Sequence, residues 1–257
     1  MLKYIDSHAH YDDSSFDGDR DTLLPQLREN GVMNIITIGC SERSSKAAAN
    51  LAEKYDFMYF APGIHPEEAN TVGDGYKELI VSLCGHRKAV AVGEIGLDYH
   101  YEGFDKARQK ELFETQLEIA RRLDKPVIIH MRDATADTME ILRKYRPRGV
   151  VHCFSGSAET AEEVIGLGMY IGFTGALTFK NARKAIESAE RIPLDRILVE
   201  TDCPYMAPEP FRGKRCDSSM IAYTLTKLAE IKGITPEQAA EATAENTRRL
   251  FSGMTRS

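Results

Sequence analysis

The sequence predicts an α/β protein built as a single-domain (β/α)₈ TIM barrel over residues 1–257, regular or distorted, and three observations carry that expectation. Eight short apolar runs, rich in β-branched residues, alternate with stretches of helical period. The runs are apolar at nearly every position rather than at every second one, which is the pattern of parallel strands covered on both faces. No Ser/Gly-rich linker or shift of composition divides the 257 residues, and barrels of about this length form one domain. An open doubly wound sheet is the competing architecture. It ranks second because no Gly-rich phosphate loop follows the first run.

In chain order, Tyr4-Ile5-Asp6-Ser7-His8-Ala9-His10 is the first strand. After the acidic stretch Asp12 to Asp21, Thr22-Leu23-Leu24 and Leu27 take a helical spacing that Gly31 ends from the position after the cap. Val32 to Ile38 is a second strand, Ser44 to Lys54 an alanine-rich helix, and Phe57 to Ala61 a third strand, with His65 just beyond it in the loop Pro62-Gly63-Ile64-His65-Pro66. A helix over Tyr76 to Cys84 precedes the continuous apolar run Ala89 to Gly93, which delivers Glu94 at its end. Asp105 can cap the long helix to Arg122, whose apolar positions follow the 3.6-residue period. Strands at Val127–His130, Gly149–His152, Met169–Phe173 and Ile197–Asp202 then alternate with helices near Thr138–Tyr145, Ala158–Leu167 and Ala182–Ile192. Helices at Ser219–Lys232 and Pro236–Phe251 close the chain, the second with Thr235 as N-cap, Pro236 at the first position and Gln238 at the third.

Composition narrows the function classes. At 42% apolar and 28% charged, with 19 Gly and 10 Pro, usage is that of an ordinary globular protein. No run approaches the ~18 apolar residues of a membrane span, and Met1-Leu2-Lys3-Tyr4 leads straight into the first strand without the layout of a secretory leader, so the expectation is a soluble, cytoplasmic protein with no membrane partner. Cys40, Cys84, Cys153, Cys203 and Cys216 are an odd set without Cys-x-x-Cys, which argues for free thiols and against a disulfide framework or a structural zinc module. The net charge of −6 disfavours long-range attraction of a polyanion, so any nucleic-acid contact has to be local.

The chemistry-bearing residues gather at strand ends. Two histidines at i and i+2 of a strand face the same side, roughly 6.5 Å apart along the backbone, and can converge on one ion. Five of the eight runs end in a side chain able to bind a metal: His8 and His10 on the first, Glu94 on the fourth, His130 on the fifth, His152 on the sixth and Asp202 on the eighth. In a (β/α)₈ barrel these ends meet on one face, where active sites are built. Four imidazoles and two carboxylates exceed what one tetrahedral ion uses, whereas two divalent ions sharing a bridging carboxylate employ them all. Glu94, between the first-strand and the fifth- and sixth-strand groups, is the natural bridge. Mixed imidazole and carboxylate ligation suits Zn, Mn, Fe or Co, with Mg the poorest match.

These residues lie in successive motifs: Asp6-Ser7-His8-Ala9-His10, Gly63-Ile64-His65-Pro66, Gly93-Glu94-Ile95-Gly96-Leu97-Asp98-Tyr99, Pro126-Val127-Ile128-Ile129-His130-x-Arg132, His152-Cys153-Phe154-Ser155-Gly156 and Glu200-Thr201-Asp202-x-Pro204. In that order, over nearly the whole chain, the series resembles the TatD family of metal-dependent deoxyribonucleases. The resemblance implies a TIM-barrel hydrolase of the amidohydrolase superfamily with divalent-metal-dependent nuclease activity, and it implies that His8, His10, Glu94, His130, His152 and Asp202 are the ligands. Glu94 stands where other members of the superfamily carry a carboxylated lysine, which favours the TatD branch. One departure follows the loop Arg212-Gly213-Lys214-Arg215, where the family usually continues Asn-Glu-Pro and this chain has Cys216-Asp217-Ser218.

The expected reaction is hydrolysis of phosphodiester bonds in DNA by a metal-activated water, in an exonuclease mode, with Asp202 as general base and Glu94 as bridge. His65 is a candidate to bond a phosphate oxygen. Arg132 and the Arg212/Lys214/Arg215 loop are candidates for phosphate contacts on a local basic rim. No obligate protein partner is expected. The alternative keeps the metal centre and changes the substrate to another ester, such as aminoacyl-tRNA or a small phosphoester. Cys153 and Cys203 each follow a candidate ligand and, on a strand, would face away from it.

Overall fold

The computed structural model describes residues 2–103 and 105–254, so Met1 of the leader reading lies outside them. Its strands are β1 (Tyr4–Ala9), β2 (Val32–Ile38), β3 (Met58–Ala61), β4 (Val92–Asp98), β5 (Val127–Arg132), β6 (Gly149–Val151), β7 (Tyr170–Phe173) and β8 (Ile197–Val199). The helices are α1 (Arg20–Glu29), α2 (Glu42–Lys54), α3 (Tyr76–Cys84), α4 (Lys106–Arg122), α5 (Thr135–Tyr145), α6 (Ala158–Gly166), α7 (Arg183–Arg191), α8 (Ile221–Lys232) and α9 (Pro236–Leu250). Strand and helix alternate through α8, and every strand pair is parallel, as the barrel expectation requires. No described helix is long and apolar enough to cross a membrane.

The strands form two hydrogen-bonded groups, β1-β2-β3 and β4-β5-β6-β7-β8, joined at two seams. At one seam His10 N donates to Cys203 O (2.8 Å) and Asp202 N to His8 O (2.9 Å). At the other, Val90 N donates to Phe60 O (2.9 Å), Phe60 N to Lys88 O (3.0 Å) and Glu94 N to Gly39 O (3.0 Å). Each seam therefore ends against residues of the candidate site.

Two cores flank the barrel wall. Ile5, Ile36, Ile38, Tyr59, Ile128, Val150, Tyr170 and Leu198 fill its interior, and Ala244 and Leu250 of α9, with Phe251 just after it, close the floor. Asn246 ties that floor to β8 by donating to Leu194 O (2.8 Å) and Ile197 O (2.9 Å). The opposite faces of the strands, with Ile35, Phe60, Ile95, Ile129 and Val151, pack under the helices. Burial on both faces is why the strands read as apolar at nearly every position.

Local signals hold at several ends. Thr235 and Gln238 form the capping box of α9, Asp105 accepts from Ala107 N and Arg108 N at the start of α4, and Gly31 (φ 103°) follows α1. Two glutamines of α4 act on neighbouring backbone as a strand would. Gln109 accepts from Asp98 N (3.0 Å) and donates to Asp98 O (2.8 Å); Gln116 accepts from Ile64 N (2.8 Å) and donates to Ile64 O (2.9 Å). They fix the backbone beside Asp98 and His65.

Most strand ends fall within two residues of the sequence expectation, and those of β4 and β8 differ by more. The run Ala89–Gly93 does not form a strand ending before Glu94. Its first residues serve the seam to Phe60, the ladder with β5 starts at Val92, and Glu94 lies inside β4. β8 stops at Val199, so Asp202 stands three residues past it, in a left-handed turn (φ 59°).

Candidate metal centre

All six expected ligand side chains converge at the mouth of the barrel. Glu94 is the hub, and its two oxygens face two different pairs of histidines. Its Oε2 lies 3.3 Å from His8 Nε2 and 3.8 Å from His10 Nε2; Asp202 Oδ1 lies 3.5 and 3.2 Å from the same two nitrogens, which are themselves 3.1 Å apart. On the other side, Glu94 Oε1 lies 2.6 Å from both His130 Nδ1 and His152 Nε2, and those nitrogens are 3.3 Å apart. His65 completes this half, with Nε2 3.7 Å from Oε1.

The donor set fits metal ions. Donors held tetrahedrally about 2.0–2.2 Å from an ion lie about 3.3–3.6 Å from one another, and the five separations on the His8/His10/Asp202 side, from 3.1 to 3.8 Å, fall around that range. Ring nitrogens that face each other so closely, with His8 and His152 stacked at 4.0 Å between centroids, are otherwise poorly satisfied. His8 and His152 are buried, and no hydrogen bond satisfies the Nδ1 of either.

The electrostatics follow from crowding. Burial alone would raise the Glu94 carboxyl, but the charges of His152 and His8 and the bond from His130 outweigh it and hold it well below the usual carboxylate range. Burial likewise opposes ionisation of Asp202, and the His10 hydrogen bond with the neighbouring imidazoles carries it down. Burial, with the His130 charge beside it, pushes His65 down to about 3. His65 Nδ1 accepts from Glu67 N (3.2 Å), so the ring proton sits on Nε2, pointing into the site.

Several residues at the centre went unnoticed in the sequence. Asp98 Oδ2 lies 2.9 Å from His130 Nε2 and fixes that ring from behind. Glu200 Oε1 accepts from Cys153 N (2.6 Å) and stands 3.6 Å from His152 Nδ1. Asp6 is fully buried; it accepts from His8 N, Thr201 N, Thr201 Oγ1 and Ser218 Oγ, and burial pushes its carboxyl up to about 6 against those bonds. Ser218, in the segment that departs from the family pattern, thus braces the strand that carries His8. The thiol at the centre is Cys40, with Sγ 3.7 Å from His10 Nδ1 and 3.9 Å from Glu94 Oε2. Cys153 and Cys203 lie beyond strand ends rather than on strands, so the alternation argument does not apply to them; Cys153 Sγ rests 3.6 Å from Thr174 Oγ1. All five cysteines are free thiols.

The candidate rim is split. Arg132 lies over the ring of exposed Tyr101 (5.1 Å) and 4.0 Å from Asp98 Oδ2. Arg212 stacks on Phe179 at 4.3 Å, and Lys214 is exposed. Arg215 makes a two-pronged bond to Asp19 (2.8 and 2.6 Å), donates to Ser15 O and lies over Phe16, which ties the loop down.

The family model described as TatD related DNase matches residues 5–252. The chain belongs to the TatD family. A TatD-family relative in Bacillus subtilis, named uncharacterized metal-dependent hydrolase YabD, is 41% identical, the match covering 96% of this chain and 98% of that protein. The protein named 3'-5' ssDNA/RNA exonuclease TatD in Cronobacter sakazakii is 33% identical, over 93% of this chain and 94% of its own. Among solved structures, the TatD homologue YjjV of Escherichia coli superposes with a TM-score of 0.91 at 34% identity, covering 97% of this chain and 98% of that one. This TatD-family chain is a metal-dependent hydrolase.

Proposed function

We propose that this hydrolase cleaves phosphodiester bonds of DNA in an exonuclease mode, using two divalent ions held by His8, His10, Asp202 and Glu94 on one side and by Glu94, His130 and His152 on the other. The observation that carries the reading is the division of Glu94, whose two oxygens serve two separate donor groups. Such a pair of ions, when bound, activates water at neutral pH and screens the charge of a phosphoryl centre. The name of the Cronobacter sakazakii relative supports a strand-degrading activity.

The protein's own groups divide the remaining work. Asp202, held ionised at neutral pH, takes the proton of the attacking water. His65 stays neutral and donates from Nε2 to a non-bridging phosphate oxygen, a role open to it because burial keeps the ring uncharged. Asp98 keeps His130 turned toward Glu94. Arg132, Arg212 and Lys214 take the flanking phosphates, and Arg215 anchors their loop.

The test incubates end-labelled DNA, end-labelled RNA and an aminoacyl ester with the protein and Zn, Mn, Mg, Fe or Co in turn, beside Glu94→Gln. The expected result is metal-dependent shortening of DNA, with Glu94→Gln folded by circular dichroism, depleted of metal by elemental analysis and inactive. Hydrolysis of the ester alone, or full turnover by Glu94→Gln at saturating metal, overturns the reading.

A further inference from the structure

Beside the metal centre, on the outer side of Asp202, lies a cavity of about 560 Å³ whose lining includes Asp13, Phe179, Tyr205, Met206, Arg212 and Lys214. Its chemistry differs from that of the metal centre. Tyr205 is 57% exposed and Met206 38% exposed, two of the few large apolar side chains that the described residues leave open to solvent. Adjacent in the chain and on one lining, they form a joint apolar patch rather than scattered single side chains.

The shelf is held rigidly. Tyr205 N donates to Asp202 O (3.0 Å), so the ring starts one turn from the metal-facing carboxylate. Asp13, whose carboxylate accepts from Ser15 N (2.8 Å), lines the same cavity. Behind it, a Cβ on Gly175 would fall 2.2 Å from Met206 O and 2.7 Å from Pro208 N, so the two loops touch backbone to backbone. Glu209 N donates to Thr178 Oγ1 (2.8 Å) and closes the same joint. Phe179 holds the Arg212 guanidinium over its face at 4.3 Å. The backbone that carries Tyr205 and Met206 is therefore fixed beside Asp202, with Arg212 stacked on Phe179 and exposed Lys214 on the same lining, around a space of the size that small-molecule sites use.

We infer that this cavity is a nucleobase subsite, in which the base of an unpaired terminal nucleotide stacks on Tyr205 against Met206 while the adjoining phosphate meets Arg212 and Lys214. The inference rests on the nuclease reading and extends it from metal chemistry to the group that seats the strand. Every base has a π-face, so stacking on an aromatic side chain accepts any sequence. A base inside a duplex is already stacked and paired, and cannot reach the shelf without first leaving the helix. The two cations supply the charge that the strand's phosphate requires, at a place where the overall charge of the chain is unfavourable.

The experiment uses the metal-loaded protein and a single strand carrying 2-aminopurine at its end and a phosphorothioate at the terminal linkage, which slows cleavage. Stacking on an aromatic side chain quenches 2-aminopurine. The wild-type protein is expected to quench the terminal probe, Tyr205→Phe to quench it equally, and Tyr205→Ala to lose the quenching and weaken Kd by roughly 5- to 150-fold, the range of one stacked base. A probe placed several nucleotides inward should respond far less. Equal quenching and affinity in Tyr205→Ala overturns the subsite and leaves the nuclease reading standing, provided the unmodified strand is still cut. Absence of any binding or cleavage by the wild-type protein overturns both.

Discussion

At the scale of single residues, His65 is the sharpest case of environment setting chemistry. An imidazole pushed down to about 3 is uncharged at neutral pH, so in the proposed reaction His65 is suited to donate a hydrogen bond rather than to titrate. His65→Gln should lower kcat about 10²- to 10³-fold, as loss of a preorganised donor does, while the limbs of the pH–rate profile keep their midpoints. A shifted midpoint in the variant would assign the proton transfer to His65 instead. The same scale explains what was legible in advance. Counting by two along the inner face leads from Ile38 to Cys40, from Ile128 to His130, from Val150 to His152 and from Leu198 through Glu200 to Asp202, and within β4 from Glu94 to Asp98. The reading from strand ends found the histidines, Glu94 and Asp202 because each stands at the end of an apolar run. It passed over Asp98, Glu200 and Cys40, although the same alternation contained them. On β1 no such count works, because the register shifts between Asp6 and Ala9.

At the scale of elements, strands and helices were readable from period and caps, and the misplaced boundaries fell where hydrogen-bond partners, rather than hydrophobicity, decide. Ala89 to Ala91 are as apolar as any strand, yet they serve a seam; nothing local distinguishes them from a ladder. Helix α4 shows a further contribution that periodicity conceals, since Gln109 and Gln116 sit among its buried residues and read as ordinary polar positions. Gln116→Leu keeps the volume but strips Ile64 N and Ile64 O of their partners. With each unsatisfied buried group costing about 1–3 kcal/mol, the variant should lose about 2–6 kcal/mol in urea denaturation, with an unchanged m-value. A loss below about 0.5 kcal/mol would mean that water or a shifted loop satisfies Ile64.

For the whole molecule, the net charge of −6 means that the strand binding proposed above must rest on a few local cations, and Arg215 is already committed to Asp19. Two phosphate contacts, from Arg212 and Lys214, should therefore carry the loop's share of the salt dependence. Replacing both by Ala should flatten the slope of log K against log salt by about 1.4 for single-stranded DNA, at about 0.7 per contact, with metal content unaltered. An identical slope would make the loop ordinary solvated surface. The two seams give the metal centre a second task. Its donors come from both hydrogen-bonded groups of strands, His8 and His10 from one and Glu94, His130, His152 and Asp202 from the other, so an ion seated between His8, His10, Glu94 and Asp202 would act as a rivet between groups that only short stretches of backbone join. Ligation of the folded form alone is worth about 4 kcal/mol at a thousand times Kd. Chelation should accordingly lower the melting temperature and speed hydrogen exchange first at the amides of His10, Phe60, Val90 and Asp202, ahead of the ladder between β4 and β5. Uniform exchange, or an unmoved melting temperature, would mean that the barrel holds its circumference without it. On this reading the metal of the site is also the clasp of the hoop, and this chain starved of metal is expected to lose its closure as well as its chemistry.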